Sequence, residues 1–443
     1  MALTIGFVFD DTLDALDGVQ QHIITIGTEL ARRGHDVHYL VGETHHSPVP
    51  QTVSLARNVM VSFNGNRMRI PLPVCKREIR AALAHNNYDI LHIQAPYSPL
   101  FGGRVLECAP QSTGVVATYH IAPIDRRARY GGRALGLINA HSHRRVDEVI
   151  AVSQVAAQYA QFTAHTHGTI IANPVNVEKF ATAAHRATRD AAHPHIVFLG
   201  RLVPRKGAQL LLDALDYGER HGMFPMPGLH VTIAGDGPLM DDCVQRAARL
   251  RTPVQFVGTV DEGKTDLLAS ADVAVFPAIG GETFGIVLPE AIASGAVPVT
   301  TTISRYVELV GDGQRGLLFP AGDPVTLAGQ INRLGEDDDL RDRFRRTCGE
   351  FEVETWPEVA GRFEEIYERL VSRRHDPAGN EALRKRLRKR PLIDVDLHMH
   401  TDHSSDCATP VKVLIETARD RGFGAIAITD HNEVSGALEA AKV

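Results

Sequence analysis

In GGETFGIVLPE, residues 280–290, Glu282 and Glu290 flank a mostly apolar run that follows a pair of glycines. Gly280, Gly281 and Gly285 permit tight turns, so the backbone N–H groups of Phe284, Gly285 and Ile286 could converge on an anion. Glu290 opens a predicted helix, PEAIASG, with Pro289 near its start and Gly295 near its end. Carboxylates accept hydrogen bonds from vicinal hydroxyls. Two such acids on one loop and helix could grip two sugar rings, with phosphate held between them. Glutamates that cap a helix or pair with cations would fit the same spacing.

A matching set of cations lies upstream. LGRLVPRKGAQLLLDAL (199–215) runs from a strand end into a helix, with Arg201 at the strand tip and Lys206 and Gly207 at the helix start. Cations beside free helix N–H groups and the positive dipole end make an anion site, and two charges at this spacing suit a diphosphate. IAGDGPLM (233–240) is a second strand-to-helix turn, where Gly235 would let backbone approach a ligand. DALDGVQQH (14–22) is a third, with Gly18 just before a helix, and ATYHIAP (117–123) places His120 at a strand end.

The elements that must position these residues alternate regularly. Short apolar strands (3–9, 37–42, 89–93, 114–120, 148–153) interleave with amphipathic helices, and a second series follows at 195–200, 229–235, 254–258, 273–277 and 297–301. This is the pattern of parallel α/β sheets. IIANPVNVEKF (170–180) separates the series, and its Asn-Pro marks a turn and hinge. Two doubly wound units with a cleft between them are predicted, followed by a terminal helix in WPEVAGRFEEIYERLVSRR (356–374).

Composition narrows the class of protein. A hydrophobic share of 44% with 23% charged residues describes a soluble globular chain, and a net charge of −6 argues against nucleic-acid partners. Five scattered cysteines without a C-x-x-C pair fit free thiols in a reducing cytosol. The start reads as a first strand rather than a signal peptide, and no apolar run is long enough to span a membrane. A cytoplasmic location is expected.

The ordered set GRLVPRKG, IAGDGP, VQFVGTV, VFPA and GGETFGIVLPE resembles the retaining family-4 glycosyltransferases of the GT-B fold, over roughly residues 3–372. The resemblance implies two Rossmann-like domains facing a cleft: residues 1–175 on the acceptor side and 176–355 binding the nucleotide sugar. It implies that Glu282 bonds the donor-sugar hydroxyls, Glu290 the ribose, and Arg201 and Lys206 the leaving diphosphate. His120 would lie by the reacting carbon, and Gly18 would contact phosphate, although Asp17-Gly18 stands where the family often has two glycines. It further implies transfer of a hexose with retention of configuration and without a metal cofactor. A GT-B sugar-nucleotide epimerase, or a sugar-binding module without transfer, would keep the same cleft.

DDTLDALDGVQQHIITIGTELARRGHDVHYLVG (10–42) most resembles bacterial phosphatidylinositol mannosyltransferases within that family. This suggests a GDP- or UDP-sugar donor and a lipid or lipid-linked acceptor. RRARYGGRALGLINAHSHRR (126–145) mixes arginines with Leu135, Leu137 and Ile138, which would suit peripheral contact with anionic membrane on the cytoplasmic face. An ordinary amphipathic helix would look alike.

Residues 375–391 carry the basic run RKRLRKR and read as a linker. DLHMHTDHSSD (396–406) and ITDHNEVSG (428–436) follow. His398 and His400, two apart on a strand, face one side and could share a divalent metal with Asp430 and His431. H-x-H-T with a later T-D-H-N resembles the start of a PHP (polymerase and histidinol phosphatase) domain, a metal-dependent phosphoesterase. That resemblance covers only 392–443, an incomplete βαβ segment, so phosphoesterase activity is the alternative function.

Overall fold

The computed structural model describes residues 2–14, 18–63, 66–121, 123, 126–187, 189, 193–224, 228–260, 263–283, 285–375 and 393–443. The chain falls into two compact units, Met1–Asp376 and Pro377–Val443. The linker foreseen at 375–391 lies, apart from His375, outside the described residues.

The first unit is built on two parallel sheets. One contains β1 (Thr4–Phe9), β2 (Asp36–Val41), β3 (Thr52–Ser54), β6 (Ile90–Gln94), β7 (Gly114–Tyr119), β8 (Glu148–Ala151) and β9 (Thr169–Ile170), in the order β3-β2-β1-β6-β7-β8-β9. The other contains β10 (His195–Leu199), β11 (His230–Ala234), β12 (Val254–Gly258), β13 (Val273–Phe276), β14 (Val297–Thr301) and β15 (Leu317–Phe319), in the order β12-β11-β10-β13-β14-β15. In each sheet the strand order reverses beside the first strand, a point where the turns at the strand ends diverge and open a crevice. The central strands β1, β7 and β10 are near-continuous apolar runs because helices cover both of their faces.

An antiparallel hairpin, β4 (Asn58–Phe63) with β5 (Asn66–Pro71), stands apart from both sheets. Sequence reading passed over it, although an Asn-Gly pair between two alternating runs is a strong hairpin signal.

The terminal helix Trp356–His375 returns to the first lobe. Its buried face (Val359, Ala360, Phe363, Ile366, Tyr367, Leu370, Val371) completes the core made by β1, β2 and the helix Gly18–Arg32. Full burial of such side chains is worth about 1.5–3 kcal/mol each, so this strap ties the end of the second lobe to the first. Ile286 makes another connection between the lobes, packing beside Ala151, Val152 and Ala156.

In the second unit, β16 (Val395–Met399) pairs in parallel with β17 (Ala425–Ile428) through the helix Val411–Asp420, and the helix Ser435–Ala440 follows. This is the βαβ arrangement expected of residues 392–443.

Candidate functional site

The cationic turn leaves β10 at Leu199, passes Arg201, and tightens into a short 3-10 segment, Pro204–Lys206, before the helix Ala208–Arg220. Gly207 is needed where the two meet. Its φ is +75°, and a Cβ there would lie 2.0 Å from the carbonyl oxygen of Pro277 at the end of β13. The cationic turn is therefore pressed against the strand end that leads into GGETFGIVLPE. At Gly235, expected to admit a ligand, the chain itself comes close: a Cβ would meet the Gly200 carbonyl at 2.0 Å.

Glu282 lies at the centre of this contact and is only 7% exposed. Its Oε1 accepts from Arg205 Nη1 at 2.6 Å and from Lys206 Nζ at 2.8 Å. Burial pushes its pKa up, but the Lys206 and Arg205 charges outweigh that and hold it below the usual carboxylate range. Tyr306, itself buried, hydrogen-bonds the same carboxylate. Gly285, at φ +66°, sits over the Tyr306 ring, where a Cβ would lie 2.9 Å from it. Sequence reasoning named Lys206 but passed over Arg205, its neighbour in the same VPRKG run, and Tyr306.

Glu290 stands in the first turn of the helix Val287–Ala293. Its Oε1 accepts from Lys264 Nζ at 2.6 Å, while Oε2 is buried without a partner among the described residues. Burial raises its pKa despite Lys264. The Lys264 ammonium also lies 5.8 Å from the Phe180 ring centroid. Lys264, which sequence reading missed, carries no local motif that points to Glu290. Phe284 falls outside the described residues.

His120 follows β7, with Nε2 2.7 Å from Gln94 Oε1, an imidazole N–H facing an amide oxygen. Its ring lies edge-on to His22, centroids 5.0 Å apart. Burial holds the His120 pKa well below the ordinary histidine value, as it does for His92, so these imidazoles are neutral. His92 bridges Tyr367 of the terminal helix and Thr118, each at 2.6 Å.

The helix Gly18–Arg32 links the two sides. A Cβ on Gly18 would lie 3.6 Å from Ile286 Cδ1, in the loop that carries Glu282, and His22, one turn on, touches His120. Gly18 thus lies at the contact between lobes, with Ile286 against it through its side chain.

In the tail, His398 of β16 and His400 just past its end lie together, their Nε2 atoms 3.1 Å apart. His400 Nδ1 lies 2.9 Å from Asp406 Oδ2, and His431 Nε2 lies 3.4 Å from the same oxygen. His400, Asp406 and His431 bring one ligand atom each within 4.8 Å of one another. This mixed imidazole and carboxylate set fits a borderline divalent ion such as zinc or manganese. Hydrogen bonds from Ser404 and His400 keep Asp406 far below the usual carboxylate range. Asp430, expected in this group, turns inward and accepts from Thr401 N at 2.6 Å and Thr401 Oγ1 at 2.7 Å. Asp406, in the loop after β16, is the carboxylate that lies beside His400 and His431.

Two facing Rossmann-like sheets, with paired acids and cations at the strand tips of the second, define a GT-B glycosyltransferase. Residues 16–179 match the glycosyltransferase family 4 model, 193–337 the glycosyl transferases group 1 model, and 396–443 the PHP domain. The phosphatidyl-myo-inositol mannosyltransferase of Mycobacterium tuberculosis is 31% identical over 384 residues, covering 83% of this chain and 97% of that protein. Sucrose-phosphate synthase from Thermosynechococcus elongatus superposes with a TM-score of 0.64 at 21% identity, over 84% of this chain and all of its own. HepE from Anabaena, solved with UDP, gives 0.62 at 17% identity, over 83% of this chain and all of its own. The chain belongs to glycosyltransferase family 4, among relatives of the phosphatidyl-myo-inositol mannosyltransferases, and carries PHP-domain sequence at its C-terminal end.

Proposed function

We propose that this protein transfers a hexose, with retention of configuration, from a nucleotide-diphosphate sugar to an acceptor at an anionic lipid surface. The observation that carries this reading is the buried Glu282, ionised among Arg205, Lys206 and Tyr306 where the two strand-end turns meet. Breaking the sugar–phosphate bond gathers negative charge on the diphosphate and positive charge on the sugar carbon. Fixed cations and a fixed carboxylate stabilise that separation with little reorganisation. The unpartnered Oε2 of Glu290 is the kind of buried acceptor that ribose hydroxyls would satisfy. Departure of the phosphate from the same face as acceptor attack would give retention, and we assign the transfer no metal.

For the acceptor, the first lobe offers a cavity of about 280 Å³ lined by Glu43, His45, Asn58, Met60 and Arg69. One acid, Glu43, and the Asn58 amide beside Arg69 would suit a polyol bearing a phosphate. In the same lobe, the helix Arg126–His143 exposes Tyr130, Leu137 and Ile138, each more than 60%, among its arginines. That mixture supports peripheral contact with anionic lipid. No helix among the described residues is long and apolar enough to cross a membrane. In the tail, we propose that His400, Asp406 and His431 hold a divalent cation, which would supply Lewis-acid chemistry to a phosphoester.

Incubation with GDP-, UDP- and ADP-sugars, with and without phosphoinositide vesicles, tests the main reading through nucleotide release and product stereochemistry. Acceptor-dependent release that Glu282→Ala abolishes is expected. Equal release by that variant, or interconversion of the donor sugar without transfer, would refute it.

A further inference from the structure

The two cations on Glu282 have different attachments. Arg205 and the glutamate's loop are joined through the main chain, because Ile279 N donates to the Arg205 carbonyl at 2.9 Å. The Arg205 side chain is 14% exposed and also lies 3.5 Å from the Gly281 carbonyl. Lys206, one residue nearer the helix Ala208–Arg220, reaches the same carboxylate oxygen and is the more exposed of the two at 21%. Tyr306 hydrogen-bonds Glu282 as well, with Gly285 against its ring. Of the three groups on the carboxylate, Lys206 is thus the most exposed and the one whose main chain leads into the helix.

This division matters once a donor is present. If Lys206 turns its ammonium to the departing diphosphate, Glu282 loses half of its counter-charge while remaining buried. A buried carboxylate without a cation takes up a proton or costs several kcal/mol. A protonated Glu282 would accept sugar hydroxyls weakly.

Resting on the glycosyltransferase reading above, we propose that Arg205 is a positioning residue. With Tyr306 it keeps Glu282 oriented toward the donor-sugar hydroxyls, which leaves Lys206 to serve the diphosphate. Arg205 acts through the glutamate and does not itself bind phosphate.

The test compares Arg205→Met, Arg205→Lys, Tyr306→Phe and Lys206→Met in the full chain. Calorimetric titration would use GDP, UDP and the corresponding nucleotide sugar, with turnover measured from pH 5 to 9. In Arg205→Met, affinity for the bare diphosphate stays within about threefold of wild type, the extra affinity contributed by the sugar is lost, and kcat falls about 100-fold, which is about 2.7 kcal/mol of transition-state stabilisation. Loss of one of two cations also moves the acidic limb of its kcat profile up by about one pH unit or more. Arg205→Lys restores that limb at least in part. Tyr306→Phe moves it in the same direction without weakening diphosphate binding, and carries the test if Arg205→Met fails to fold. Lys206→Met shows the opposite split, losing about tenfold or more in diphosphate affinity.

Equal loss of diphosphate affinity in Arg205→Met and Lys206→Met would make Arg205 a phosphate ligand and overturn the proposal. An unmoved acidic limb in both Arg205→Met and Tyr306→Phe would also overturn it. A wild-type chain that binds neither diphosphate would overturn the nucleotide-sugar reading itself, and this proposal with it.

Discussion

Lys264→Met removes the only described hydrogen-bond partner of the Glu290 carboxylate while keeping a stem of similar length beside Phe180. Glu290 is 5% exposed, and burial already raises its pKa even with Lys264 at 2.6 Å. Without the ammonium, keeping the carboxylate ionised costs about 3–5 kcal/mol, the penalty of breaking a buried pair. The group instead keeps its proton to a higher pH than in wild type. A ribose hydroxyl would then face a neutral acid, where a hydrogen bond contributes about 1 kcal/mol, rather than an anion, where it contributes about 1.5–3 kcal/mol. The difference, about 0.5–2 kcal/mol, corresponds to a loss of about 2- to 30-fold in diphosphate affinity.

Two pH trends of opposite sign follow. As pH rises through the raised pKa, Glu290 of the variant ionises, so nucleotide affinity recovers. Over the same range, a group whose folded pKa lies above its unfolded value loses its stabilising contribution, so the variant's thermal stability falls relative to wild type. Calorimetric titration of GDP and UDP between pH 6 and 9, repeated with the 2′,3′-dideoxy nucleotides, measures the first trend, and thermal unfolding the second. The dideoxy penalty should be smaller in the variant than in wild type. A variant that tracks wild type in affinity and stability at every pH, or keeps the full dideoxy penalty, would refute this account.

Asp10 offers a second pH test. It accepts from Gly102 N at 2.8 Å, its other oxygen is buried without a described partner, and burial pushes its pKa up to about 7. Its stabilising contribution is complete below about pH 4 and is lost as pH rises through about 7, so Asp10→Asn should gain in melting temperature over wild type between pH 5 and pH 9. An equal difference at both ends would exclude the buried carboxylate as the cause. In the tail, Asp406→Asn should weaken zinc or manganese binding by the full chain about tenfold or more, read by direct metal titration. Unchanged metal affinity would remove Asp406 from the site.

Much of the fold was legible because its signals are local. Apolar runs of strand length, turn glycines and the Asn-Pro at 173–174 mark two parallel sheets without reference to any distant residue. The cationic turn and the two glutamates were likewise visible, since each sits within a few residues of a strand end. The β4–β5 hairpin carried an equally local signal that went unused. Asp406 and Asp430 both follow strand ends beside histidines and look alike in one dimension. Thr401 N–H and its hydroxyl decide between them, by drawing Asp430 inward.

The sequence by itself determined where each reactive side chain leaves its own strand or helix, because period and turn chemistry act over neighbouring residues. Tertiary structure decided which charges meet: Arg205 with Glu282, Lys264 with Glu290, and the terminal helix with the histidines of the first lobe. Those pairings arise only when burial removes water from groups far apart in the chain. A buried charge must then find whichever partner the fold has brought near, and no spacing along the sequence records that choice.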